Sequence, residues 1–128
     1  MHSKKKSILI LVADDDAEDR MLVKEALEEN RLKNAIKFVE NGEELMDYLH
    51  NRGKFSDKEV YPIPGLILLN LNMPKKDGRE ALKEIKEDSH LRLIPVVVLT
   101  TSKAEEDIFK TYNLGVSSLI AKPAKIVI

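Results

Sequence analysis

Three uninterrupted apolar runs constrain this chain more than any other feature: Ile8-Leu9-Ile10-Leu11-Val12, Leu66-Ile67-Leu68-Leu69 and Val96-Val97-Val98-Leu99. A strand wetted on one face alternates apolar with polar residues. Runs of four or five without alternation suit strands buried on both faces, as in a parallel sheet covered by helices. Ala35-Ile36-Lys37-Phe38-Val39 is a weaker strand whose one charge fits an edge, and Ser117-Ser118-Leu119-Ile120-Ala121 is a candidate fifth.

Between the runs the period changes. From Ala17 to Glu29, the residues Leu22, Val23, Ala26 and Leu27 form one helical stripe among charges. Asn41, with Glu44 three residues on, predicts the start of a second helix whose apolar face is Leu45, Met46 and Leu49. Asp77 with Glu80 predicts a third, carrying Ala81, Leu82 and Ile85. Ser102 with Glu105 predicts a fourth, with Ile108, Phe109 and Tyr112 on its core and rim and Gly115 as its stop.

Strand and helix thus alternate as βαβαβαβαβ, which implies right-handed crossovers and a doubly wound α/β domain. The 128 residues suit a single domain over 1–128, with residues 51–65 as the one long connection. A fifth helix would be expected after the fifth strand, but seven residues after Ala121 are too few to make one. The expectation is a missing or truncated last helix and an uncovered apolar patch. A homodimer, a swapped dimer or another partner chain would then cover that face.

Charge and composition exclude several functions. Lys and Arg total 21 against 22 Asp and Glu, so no broad field draws nucleic acid or holds an anionic membrane. With no cysteine there are no disulfides, thiolate metal sites or thiol nucleophiles. His2, His50 and His90 lack metal-ligand spacing. Lys4-Lys5-Lys6 and the apolar run after it resemble a signal peptide, but the run is short and meets Asp14-Asp15-Asp16 without a cleavage pattern. No run reaches membrane-spanning length, and the expectation is a cytoplasmic protein.

In an open parallel sheet, ligands sit outside the carboxyl ends of the strands. There the chain places Asp14, Asp15 and Asp16, then Asn70 and Asn72, then Thr100 and Thr101, then Lys122 before Pro123. Asp16 reads as a helix cap, with Asp19 in the first turn. Taken alone, Thr100 is an ordinary strand-end threonine and Lys122 a surface lysine. Together they suit an Mg²⁺-dependent phosphoryl site, since Mg²⁺ takes about six oxygens at roughly 2.0–2.1 Å. A hydroxyl and an ammonium can then hold phosphoryl oxygens. No Gly-rich phosphate loop and no Ser/His/Asp arrangement competes with this reading.

From about Ser7 to Pro123 the chain resembles the receiver domain of bacterial response regulators. The resemblance rests on Asp14-Asp15, on Leu66 to Pro74, on Val98-Leu99-Thr100 and on Lys122-Pro123. Pro74-Lys75-Lys76-Asp77-Gly78-Arg79-Glu80, Thr100-Thr101-Ser102 and the long connection narrow it to small single-domain receivers of the kind paired with phytochrome-type or other sensor histidine kinases. It implies a flavodoxin-like five-stranded parallel sheet in order 2-1-3-4-5, a binding and switching module rather than an enzyme, and a histidine kinase or other signalling protein as partner. It also implies an Mg²⁺ site of Asp14 (through water), Asp15, Asn70 and the Asn72 carbonyl, with Thr100 and Lys122 on the phosphoryl group.

The chain departs from that family where it matters most. Asn70 stands at the position of the phosphoacceptor aspartate. An amide is a poor nucleophile, because its nitrogen lone pair is delocalised and its oxygen carries no full charge. Mg²⁺ binding should be weaker than with three carboxylates, or lost. Leu119, three residues before Lys122, replaces an aromatic residue common there. The departures imply a degenerate receiver or an engineered non-phosphorylatable form. A small Mg²⁺-dependent phosphohydrolase using Asp14 or Asp15, and a pure protein-interaction module, are the alternatives.

Overall fold

The computed structural model describes residues 8–29, 35–71, 73–100 and 118–121, the last four and Thr100 by backbone alone. Five strands lie in one parallel sheet: β1 (Ile10–Ala13), β2 (Ile36–Val39), β3 (Leu66–Asn70), β4 (Val96–Thr100) and β5 (Ser118–Ala121). The first four run in the order β2-β1-β3-β4, and β5 pairs with β4 beyond them, Thr100 opposite Ala121. Helices α1 (Ala17–Glu29), α2 (Gly42–Leu49) and α3 (Gly78–Glu87) form the crossovers. The expected fourth helix from Ser102, the residues after Ala121, Leu119's side chain and any surface left by a last helix lie outside what is described.

Burial on both faces explains the runs. Leu9, Leu11, Ala13, Ile67, Leu69, Val96 and Val98 enter one cluster with α2 and α3. Their neighbours Ile10, Val12, Leu68 and Leu99 enter another with Val23, Ala26 and Leu27 of α1. Successive side chains point to opposite faces, so every position of β1 is apolar and all four are buried. Residues 36–38 of β2 are only partly buried, as an edge strand allows. Leu22, expected in the α1 stripe, is likewise half-buried.

The helix starts follow capping chemistry. Asp16 Oδ1 accepts from Glu18 N at 2.8 Å and Asp19 N at 3.3 Å. Asn41 Oδ1 accepts from Glu44 N at 2.8 Å. Asp77 Oδ1 accepts from Arg79 N at 2.7 Å. Each satisfies a backbone donor that the first helical turn leaves unpaired. The Glu44 carboxylate reaches back one residue further than an ordinary capping box, accepting from Glu40 N at 2.8 Å, and pairs with Lys54 at 2.9 Å. Partial burial opposes its ionisation, but the bonds from Lys54 and Glu40 outweigh that and hold its carboxyl below the usual range.

The long connection is built rather than irregular. Asn51, at φ 51°, donates through Nδ2 to the Phe55 and Tyr61 carbonyls at 3.0 Å each. Gly53–Phe55 forms a 3₁₀ turn that buries Phe55. Tyr48, Phe55 and Tyr61 meet with ring centroids 5.1 to 5.6 Å apart. The Tyr48 hydroxyl donates to the Pro62 carbonyl at 3.0 Å. An aromatic cluster and two side-chain clamps thus replace the missing period.

Burial, and secondarily Tyr61, pushes the Tyr48 hydroxyl from 10.0 up to about 12. Folding therefore favours its neutral form. The associated stability is complete below pH 10 and is lost as pH rises towards about 12. Tyr48→Phe should cost about 1 kcal/mol at neutral pH and make the alkaline decline shallower. Denaturant midpoints measured across that range check both.

Candidate functional site

Register brings the polar residues together. Ala13 of β1 lies opposite Leu69 of β3, so the next residues, Asp14 and Asn70, leave the sheet side by side. Asp14 continues the ladder, its N–H donating to the Val39 carbonyl at 3.0 Å. Its side chain is fully buried, Asn70 nearly so, and Asp15 and Asp16 are exposed.

A buried carboxylate needs donors. Asp14 Oδ1 accepts from Asp16 N at 3.0 Å and from Asn70 Nδ2 at 3.3 Å. Asn70 Nδ2 also donates to Asp15 Oδ1 at 3.1 Å. One amide therefore bridges both acids across the β1–β3 boundary. A carboxylate in the same place would bring a third negative charge instead of two donors. Arg20 of α1 adds positive charge beside this turn: Nη1 donates to the Asp14 carbonyl at 2.8 Å, and Nη2 lies 3.3 Å from Glu40 Oε1.

The segment after Asn70 is fixed by close backbone contacts. Gly78 N donates to the Leu71 carbonyl at 2.8 Å, and Gly42 N to the Lys76 carbonyl at 2.9 Å. A Cβ on Gly78 would lie 2.3 Å from the Asn70 carbonyl oxygen, and one on Gly42 would lie 2.2 Å from that of Lys76. Lys75 takes φ 62° in the turn between them, and Lys76 pairs with Glu84 of α3.

Of the site residues expected from sequence, the structure brings Asp14, Asp15 and Asn70 together and puts Thr100 at the carboxyl end of β4. Asn72, Thr101 and Lys122 lie outside the described residues. Sequence reasoning missed Arg20 and the two glycines. Glycine opening a helix disfavours it relative to alanine, and Gly42 and Gly78 sit at such positions, a signal of backbone contact that could have been used.

The oxygen set suits a hard divalent cation, and Asp14 and Asp15 are the residues that would hold it. Asn70 points an N–H group at the same two oxygens, so a cation competes with that amide. Among the described residues no three His, Cys, Asp or Glu side chains cluster as metal ligands.

A parallel sheet in this order, with adjacent acids where its first strand ends, is the arrangement of a phosphorelay receiver. The chain belongs to the response regulator receiver domain family, which matches residues 10–127. It is a module of two-component signalling. The response regulator Rcp1 of Synechocystis sp. is 41% identical over 114 residues, 89% of this chain and 76% of that protein. The Mn²⁺-bound form of Rcp1 superposes with a TM-score of 0.80, covering 93% of this chain and 84% of the other at 40% identity. The bacteriophytochrome response regulator RtBRR gives 0.87 at 39% identity, over 94% and 72% of the two chains. The phosphorylated cyanobacterial phytochrome response regulator RcpA gives 0.81 at 44% identity, over 93% and 83%. The chain is therefore close to small phytochrome-associated response regulators.

Gly78→Ala should lower stability by about 1–3 kcal/mol, because the added methyl meets backbone. The urea midpoint should fall with an unchanged slope.

Proposed function

We propose that this chain is a single receiver domain in which Asn70 occupies the phosphoacceptor position, so that it takes part in two-component signalling without being phosphorylated there. One observation carries the reading: Asn70 ends β3 with its amide bridging Asp14 and Asp15.

Phosphorylating a receiver needs a carboxylate oxygen to attack phosphorus while the bond to the donor's leaving group breaks. The Asn70 oxygen has no full charge to offer, and its nitrogen is committed as a donor to two carboxylates. Receiver domains bind Mg²⁺, which when bound neutralises charge on the transferring phosphoryl oxygens. In this chain the amide already offsets part of the mutual repulsion of Asp14 and Asp15. A cation would gain two carboxylates rather than three and would displace those hydrogen bonds, so binding should be weak. Thr100 and Lys122 are proposed to flank the pocket as contacts for an oxyanion, and the Asn72 carbonyl as a further cation ligand.

Receiver domains act through histidine kinases or other signalling proteins. The likeness to phytochrome-associated regulators points to a kinase of that type. The proposed role is then protein contact, including occupation of a kinase without accepting its phosphoryl group. A cytoplasmic location fits such a partner, and among the described residues no helix is long and apolar enough to cross a membrane.

Incubation with Mg²⁺ and acetyl phosphate, followed by intact-mass measurement, tests the reading. The expected result is no adduct on the unaltered chain and one phosphoryl group on Asn70→Asp. A stoichiometric acid-stable, base-labile adduct on the unaltered chain would overturn it. Metal binding gives a second check. Millimolar Mg²⁺ should raise the melting temperature of Asn70→Asp more than that of the parent, because ligand binding stabilises by mass action. An equal or larger shift in the parent would contradict the claim that the amide disfavours the cation.

A further inference from the structure

The chain contains one Asn-Gly dipeptide, Asn41-Gly42, and it sits at the start of α2. Asn-Gly is the sequence most prone to deamidation, because glycine offers little steric resistance to ring closure. The Gly42 nitrogen attacks the Asn41 side-chain carbonyl carbon, the C–N bond to the amide breaks and ammonia leaves. Water then opens the succinimide at either carbonyl, giving aspartate or isoaspartate. No oxidant or cofactor is needed.

In the folded chain the nucleophile is engaged elsewhere and the Asn41 side chain is held as a helix cap. The nucleophilic Gly42 N–H is donated to the Lys76 carbonyl at 2.9 Å. The Asn41 side-chain oxygen accepts from Glu44 N at 2.8 Å. Asn41 is extended at φ −161° and ψ 171°, and closure requires its ψ to turn far from that value. Asn41 is 8% exposed, so water reaches it poorly. The lock belongs to two elements at once, since Lys76 lies in the turn between β3 and α3.

We infer that Asn41 is a latent deamidation site gated by the contact between the N-terminus of α2 and the β3–α3 turn: closed while Gly42 N–H bonds the Lys76 carbonyl, reactive when either element opens. Aspartate at position 41 would keep a cap acceptor but add charge beside Glu40, Glu43 and Glu44. Isoaspartate would insert a methylene into the backbone and break the register of the Gly42–Lys76 bond. Reaction through local opening scales with the open population, so the fold itself sets the rate. The inference is independent of the role proposed for Asn70.

The test is incubation at mildly alkaline pH and physiological temperature, with peptide mapping for aspartate and isoaspartate, on the native chain and on the chain in concentrated urea. Asn41 should react at least about tenfold more slowly in the native chain. Equal rates would overturn the lock, and so would a urea-unfolded chain that reacts elsewhere but not at Asn41. Asp77→Ala removes the cap that anchors the far end of the turn. It should speed reaction at Asn41 several-fold with circular dichroism unchanged, and leave Asn51 unaffected. A folded Asp77→Ala chain with no acceleration would overturn the turn as the gate.

Discussion

Two neighbouring carboxylates at the end of a buried strand pose an electrostatic problem that the rest of this molecule is arranged around. Asp14 is fully buried and Asp15 follows it directly. Like charges so placed repel, and burial strengthens the repulsion because the local dielectric is low. Among the described residues, the Asp16 N–H on Asp14, the Arg20 guanidinium on the Asp14 backbone and the Asn70 amide shared by both acids offset it. Asn70 alone of these comes from a different strand, and so ties the pocket to the register of the sheet.

That register follows from apolar burial. Ile10 to Ala13 pair with Ile36 to Val39 on one side and with Leu66 to Leu69 on the other. A slip by one residue would exchange the contents of the two core clusters. Leu11, Ala13, Leu69 and Val98 would leave the side of α2 and α3 for that of α1. The same slip would part Asn70 from Asp14. The hydrophobic core therefore fixes the polar site.

Much of this was legible in the chain. Non-alternating runs gave β1, β3 and β4 to within two residues, since few structures bury both faces of a short strand. Caps at Asp16, Asn41 and Asp77 were legible because their chemistry is local. Residues 51–65 were not: their order comes from Asn51 reaching Phe55 and Tyr61, from the Tyr48 hydroxyl reaching Pro62 and from three rings meeting, contacts between residues up to fourteen apart with no period. Arg20 was missed for a related reason. Its partners Asp14 and Glu40 converge only once β1 and β2 are paired.

The two glycine contacts bear on how far the site depends on Asn70 itself. Leu71 and Lys76 are held from outside, by the Gly78 N–H on the Leu71 carbonyl and the Gly42 N–H on the Lys76 carbonyl. Neither contact involves the Asn70 side chain, and both are backbone bonds that a change of side chain at position 70 leaves in place. Exchanging amide for acid there alters charge and donor capacity while conserving shape. In a pocket positioned by its own side chains, such a change would move the walls. Here it should change what the pocket holds and leave its walls where backbone packing puts them, because the close approaches at Gly42 and Gly78 admit no Cβ and little displacement.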